Sequence, residues 1–421
     1  LYSLYLILLI WTFVAYAQTS TSTASPGTST SGETLPTKPQ STSTSQSTAT
    51  VVPFDEDNFD YAATIINSFI EIDYENIDGE DSDFPTHNYF LVSPKQEKFW
   101  RRELLILLPD LDRAVENYQL FLKSCARAGY HCVGLNYPAE MRAQDKCINT
   151  GGQCIGLVRD ETITGATRTS LVTVPQMQAI EQRLERVLTA AHISRSTEGW
   201  NMFTNEKWRG KSLVAGDVEG GSYAAYWACD VQKFNRVLLF GSPSDWNEKD
   251  EKLAPWLSET CRTEKSEFVA FYHTHDANCE HLQEALDNGL KVGAAHQRVV
   301  EYVPEEGEVQ DWSKLQSQKM CTSLEPSDEN RATNGYRSLI DDDFTPLLAD
   351  ESPEYDRVWE HMLIGRLGNE SPDDSDACQC EKGGLSTVEL VLIILFVVFL
   401  IGVAVVAALV CWKKHKNKDN F

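Results

Sequence analysis

Positive charge is scarce in this chain of 421 residues: 37 Lys and Arg stand against 62 Asp and Glu, a formal net charge of −25. That balance speaks against a nucleic-acid partner, because backbone phosphates need Lys and Arg to neutralise them. A zinc signature is also missing. The chain has 11 cysteines, but no C-x-x-C pair stands with a matching His pair, so neither a metal nor another cofactor is expected. The N-x-S/T sequon occurs once, at Asn369, with Pro372 directly behind it. Disorder of the whole chain is excluded, since 42% of the residues are apolar and can pack a core.

Two stretches lack charge, one near each end. Leu4 to Val14 has signal-peptide length and is followed by Ala15-Tyr16-Ala17, an A-x-A cleavage pattern, so 1–17 reads as a signal peptide. The chain opens on Leu1 rather than Met, and the expectation is that the true start lies upstream, which accounts for the missing basic n-region. The alternative is a short anchor. Leu390 to Trp412 carries no charge and, at about 1.5 Å per residue, is long enough to cross a bilayer as a helix. Four lysines between Lys413 and Lys418 follow it and, by the positive-inside rule, remain cytoplasmic. The expected design is a type I single-pass protein in the plasma membrane or another secretory-pathway membrane, with a cytoplasmic tail at 413–421.

Between the ends, 18–52 reads as a disordered stalk; Ser and Thr fill 20 of the 33 positions from Gln18 to Thr50. It is either a mucin-like O-glycosylated stretch or a bare linker. An acidic lead-in covers 53–87, where a weak likeness to a calcium loop at Asn76-Ile77-Asp78-Gly79 lacks the closing Glu. Ten cysteines lie before the apolar run, so disulfides are expected in an oxidising compartment, with Cys147 and Cys154 as the best local pair. A juxtamembrane linker is assigned to 369–389.

From 88 to 368 short apolar runs alternate with amphipathic stretches. Strands are expected at Glu103–Pro109, His131–Tyr137, Lys211–Gly216, Arg236–Ser242, Glu267–His273 and Arg298–Val303, with a further one at Arg337–Ile340. Helices are expected at Arg113–Tyr130, from Pro175 to His192, at Gly220–Cys229 and at Cys279–Leu290. Buried runs separated by helices predict an α/β fold with a doubly wound, mostly parallel sheet, whose sites lie at the carboxyl ends of the strands.

One segment has the form of a catalytic turn. Leu213-Val-Ala-Gly216-Asp217-Val218-Glu219-Gly220-Gly221 reads as strand, tight turn and small-residue helix, the context of a nucleophile elbow. Around it stand, in order, the L-L-P run at 107–109, Gly134-Leu-Asn-Tyr-Pro138, the cysteine loop with Val158-Arg-Asp-Glu-Thr162, Val237-Leu-Leu-Phe-Gly-Ser-Pro243, His273-Thr-His-Asp276, Thr345-Pro-Leu347 and Tyr355-Asp-Arg-Val-Trp359. Over this span, Leu104 to about Gly365, the chain resembles the α/β-hydrolase superfamily, most closely a secreted, esterase-like branch.

The resemblance implies a Ser at the elbow, a glycine-rich oxyanion loop after the first central strand, and an Asp and a His completing a triad. The residues depart from it. Val218 occupies the elbow and has no oxygen to attack a carbonyl. Asp110 puts an anion in the oxyanion loop. Asn334 stands at the position of the His, and Asp276 alone suits its role as triad acid. His273, His275 and His281 offer too few convergent ligands for a metal and read as histidines near a sheet end.

The first reading is therefore a pseudohydrolase: a non-catalytic ectodomain used for binding, with a protein or small-molecule ligand at the former active-site pocket. The alternative is a membrane-tethered esterase or lipase with relocated groups, which would need a His within reach of a serine such as Ser242 or Ser244. A purely structural coat glycoprotein would have a filled cavity above the elbow. A surviving elbow further predicts φ > 0 at Val218.

Overall fold

The computed structural model describes residues 66–73, 77, 88–292, 299–302, 318–324, 337–365 and 401, 402 and 404. The segments expected to be a signal peptide and a stalk, most of the acidic lead-in, Asn334, Asn369 and nearly all of Leu390–Trp412 lie outside them. Among the described residues no helix is long and apolar enough to cross a membrane.

The fold is built on one sheet in which, among the described residues, nine strands lie side by side. In chain order they are β1 (Ile70–Ile72), β2 (Tyr89–Val92), β3 (Leu104–Leu108), β4 (His131–Gly134), β5 (Ser212–Asp217), β6 (Arg236–Phe240), β7 (Phe268–His273), β8 (Val299–Tyr302) and β9 (Lys319–Thr322). Their spatial order is β1-β2-β4-β3-β5-β6-β7-β9-β8. The β1–β2 and β2–β4 pairings are antiparallel, and every other pairing is parallel. This mostly parallel α/β sheet is consistent with the hydrolase-like fold that the resemblance implies.

The apolar runs are continuous because both faces of the sheet are covered. Successive side chains of a strand point to opposite faces, so Leu104, Ile106 and Leu108 of β3 enter one core while Leu105 and Leu107 enter the other. Helices α2 (Gln153–Thr164), α3 (Ile180–Ser194) and α4 (Glu219–Tyr226) pack on the first face. Helices α1 (Gln119–Arg127) and α6 (Asp356–Ile364) pack on the second, where Phe121 lies edge-on to both Phe240 and Trp359. A short helix, α5 (Cys279–Glu284), follows β7.

Several sequence expectations need correction. Arg337–Ile340 is no strand: positions 337–339 form a 3₁₀ turn, and the strand beside β7 is β9, Lys319–Thr322. Its two large apolar side chains are Met320 and a disulfide-bonded Cys321, too little apolar sequence to stand out. The excursion up to Val174 contains the helix α2, and Pro175 precedes a 3₁₀ turn, the α-helix beginning only at Ile180. The helices expected to run to Cys229 and Leu290 change to π-helical stretches at Trp227 and Ala285.

Cys147 and Cys154 are bonded, closing the loop before α2. Cys125–Cys132 ties α1 to β4, and Cys229–Cys261 joins the end of the elbow helix to the loop before β7. Cys279 and Cys321 are also disulfide-bonded.

Candidate active site: an elbow without a nucleophile

Strand β5 ends at Asp217 and helix α4 begins at Glu219, leaving one residue to turn the chain. Val218 does so at φ 45°, ψ −104°. A β-branched residue in that region costs on the order of 1–3 kcal/mol. The flanking glycines force the turn to be tight. A Cβ at Gly216 would run into the backbone of Gly220, and a Cβ at Gly220 would run into the Leu108 and Pro109 carbonyls. The Val218 N–H donates to the Phe240 carbonyl (2.9 Å), and the Val218 carbonyl accepts from Ser222 N–H (3.1 Å). The valine side chain itself is buried.

In an elbow of this kind the backbone N–H after the turn residue is one donor of the oxyanion hole, the other coming from the loop after β3. Here that first donor, Glu219 N–H, points at Oδ1 of Asp110 at 3.3 Å. Asp110 lies in the loop after β3, and its own N–H donates to the Tyr118 hydroxyl at 3.1 Å. The chain's own carboxylate thus sits on the donor where a reacting carbonyl would place its negative charge. Burial raises the Asp110 pKa to about 6, with Arg142 and the bonds from the Leu111 and Glu219 amides opposing the rise. Arg113 fixes the same loop by donating to Asp341 (2.7 Å) and Asp343 (2.6 Å).

Asp217, just before the turn, is fully buried and accepts a bond from Tyr118 Oη at 2.9 Å, which leaves its Oδ1 without a hydrogen-bond partner. Burial, and then the charge of Asp110, push its pKa well above the usual carboxylate range.

Glu219 is held from the other side. Its Oε1 accepts from Ala143 N–H and meets Nη1 of Arg159, both at 3.0 Å. Arg159, on α2 and fully buried, also forks onto Asp245 through Nε (2.7 Å) and Nη2 (2.5 Å). Its guanidinium lies 4.4 Å from the Tyr223 ring centroid, and Trp256 Nε1 donates to Asp245 at 2.9 Å. Burial alone would lower the Arg159 pKa; Asp245 and Glu219 more than offset that and keep it charged. This network packs the disulfide-closed insert against the elbow. Beside Asp110 a cavity of about 20 Å³ remains, lined by Arg113, Asn136 and Tyr137 among others. That holds about one water.

Asn334 lies outside the described residues, and among those described the other candidate groups make local contacts of their own. Asp276 follows β7 and is buried, but its Oδ1 accepts from the Asn278 amide (2.8 Å) in a local turn. Burial chiefly raises its pKa, against the Asn278 bond and Arg142. Both ring nitrogens of His273 bond backbone groups: Nδ1 accepts from His275 N–H and Nε2 faces the Leu324 carbonyl, each at 3.1 Å. His281 stacks on Trp246, ring centroids 4.3 Å apart. Ser222 lies one turn into α4, its Oγ accepting from Ser244 N–H at 3.4 Å. Among the described residues no group of three His, Cys, Asp or Glu is arranged to hold a metal ion.

No protein-family model and no curated protein matches the chain. Among solved structures it is similar to a protein named as a dienelactone hydrolase from Klebsiella pneumoniae subsp. pneumoniae MGH 78578, with 12% identity and a TM-score of 0.29 over 54% of this chain and 83% of that one. That likeness is too slight to argue from. The fold statement rests on the strand order, and the site on its own residues.

Sequence reasoning noted Glu219 only as a carboxylate flanking the elbow, and missed its partner Arg159 and the carboxylate of Asp245. Arg159 and Asp245 lie 86 positions apart, and only the fold brings them together. The available signal was an arginine amid apolar residues just after the disulfide loop, at Ile155-Gly-Leu-Val-Arg159.

Proposed function

We propose that this chain is a type I membrane-anchored glycoprotein whose hydrolase-type ectodomain performs no hydrolysis and works at the cell surface by binding. The observation that carries the reading is Asp110 bonded to Glu219 N–H beside a Val218 elbow. The nucleophile is a hydrocarbon and the oxyanion donor is already taken. Removing one triad member leaves at best residual catalysis from the hole and from binding. Here the hole is blocked as well. The anchored topology is supported by the charge-free run at 390–412 with its lysine-rich flank, and by the disulfides, which suit an oxidising compartment.

The test uses the full-length chain expressed in cells. External protease should remove the ectodomain while an epitope placed after Phe421 stays protected. The same cells should hydrolyse p-nitrophenyl butyrate no faster than cells lacking the chain. Saturable turnover that disappears in a Ser242→Ala, Ser244→Ala double variant would favour the tethered esterase instead.

A further inference from the structure

Helix α4 runs from the elbow into the π-helical stretch Trp227–Val231. Such stretches are rare and frequent at functional sites. This one carries Asp230 and Val231 to the wall of an open groove of about 420 Å³. At 1.5 Å per residue, α4 sets the groove roughly 12 Å along the axis from Val218. The groove is therefore separate from the elbow, and its volume lies in the range of small-ligand sites.

The groove has an aromatic lining and an acidic wall. Tyr226 and Trp256 contribute rings whose centroids are 5.3 Å apart. Gly156 of α2 keeps the space beside them clear, since a Cβ there would stand 3.2 Å from the Tyr226 ring. Asp160, Asp230 and Glu259 line it together with Arg168 and Arg262. Arg168 is paired with Asp160. Arg262 donates its Nε to the backbone carbonyl of Asp230 (2.6 Å). Asp230 is bonded by the Tyr226 side chain; burial first, and then Glu259, raise its pKa, with that bond and then Arg262 opposing the rise. Burial and the same carboxylates push the Tyr226 hydroxyl up. A cation placed here would relieve this repulsion beside the parts of Tyr226 and Trp256 that reach the groove, residues 7% and 4% exposed.

We propose that this groove binds an organic ammonium group, seated against Tyr226 and Trp256 and neutralising Asp230 and Glu259. The group belongs either to a free quaternary amine or to a lysine side chain of a partner. The site lies outside the elbow and stands whether or not the elbow is inert.

The test is calorimetric titration of the purified full-length chain, in a maltoside detergent, with choline and separately with N-acetyl-lysine amide. Saturable binding of either supports the proposal, choline pointing to a free amine and the lysine derivative to a protein side chain. Glu259→Arg and Asp230→Asn should each weaken it by roughly tenfold or more. Glu259 is exposed, so its variant decides the matter if Asp230→Asn does not fold. Three results would overturn the proposal: no saturation with either cation, equal binding of the neutral choline isostere 3,3-dimethylbutanol, or unchanged affinity in Glu259→Arg. Loss of binding in Asp110→Asn would move the ligand to the elbow and overturn it too.

Discussion

Asp110 and His131 are buried titratable groups of opposite kind, and each makes stability depend on pH in its own direction. Burial raises Asp110 from 3.8 to about 6, so the folded state holds its proton more tightly than the unfolded chain. Its contribution is complete below pH 3.8 and is lost as pH rises through about 6, a change of roughly 2–3 kcal/mol. Asp110→Asn keeps an oxygen for Glu219 N–H and removes the titration. Stability measured by urea unfolding should then fall less between pH 4 and 6 in the variant than in the parent. An unchanged slope would mean that Asp110 is not desolvated against the elbow. His131 works the other way. It sits among Trp100, Trp200 and Phe203, with ring centroids 5.0–5.1 Å away, and Nε2–H donates to the Glu198 carbonyl at 2.7 Å. Burial lowers its pKa from 6.5 to about 4, so its stability is present above pH 6.5 and is lost as pH falls through about 4. His131→Gln should remove that acid-side loss, seen as a shallower fall in melting temperature below pH 6.

At the scale of the element, α2 is held to the elbow by charge and packing together. Arg159→Ala would leave Glu219 and Asp245 buried without their cation, a cost of about 3–5 kcal/mol. By contrast, the Lys233–Glu264 pair is exposed on both sides, and Lys233→Ala should change stability by less than about 0.5 kcal/mol. Thermal unfolding of the two variants separates these cases. Equal small shifts would show that α2 is not anchored by its arginine. This helix also marks the limit of what pattern could reveal. The central strands were legible because a sheet covered on both faces demands unbroken apolar runs such as Leu104–Leu108. The α2 segment, QCIGLVRDETIT, turns an arginine and a glutamate inward, so the usual apolar stripe is absent. The elbow was legible from its glycines, since close approach of strand and helix admits nothing larger. The bond from Glu219 to Asp110 was not, because a loop aspartate reads the same whether it faces water or an amide.

At the scale of the whole molecule, the described residues form one mostly parallel sheet stapled by disulfides, with Asp110 covering the Glu219 N–H at the carboxyl end of β5. The proposed function predicts that no acyl chemistry occurs at Val218. The most direct test is reaction of the full-length chain with a fluorophosphonate probe, followed by mass spectrometry of the adduct. Absence of label on the parent is the predicted result. Val218→Ser is predicted to label poorly as well, because Asp110 still occupies the oxyanion donor. Stoichiometric labelling of the parent at any serine near the strand ends would contradict the account and identify the nucleophile of a working esterase.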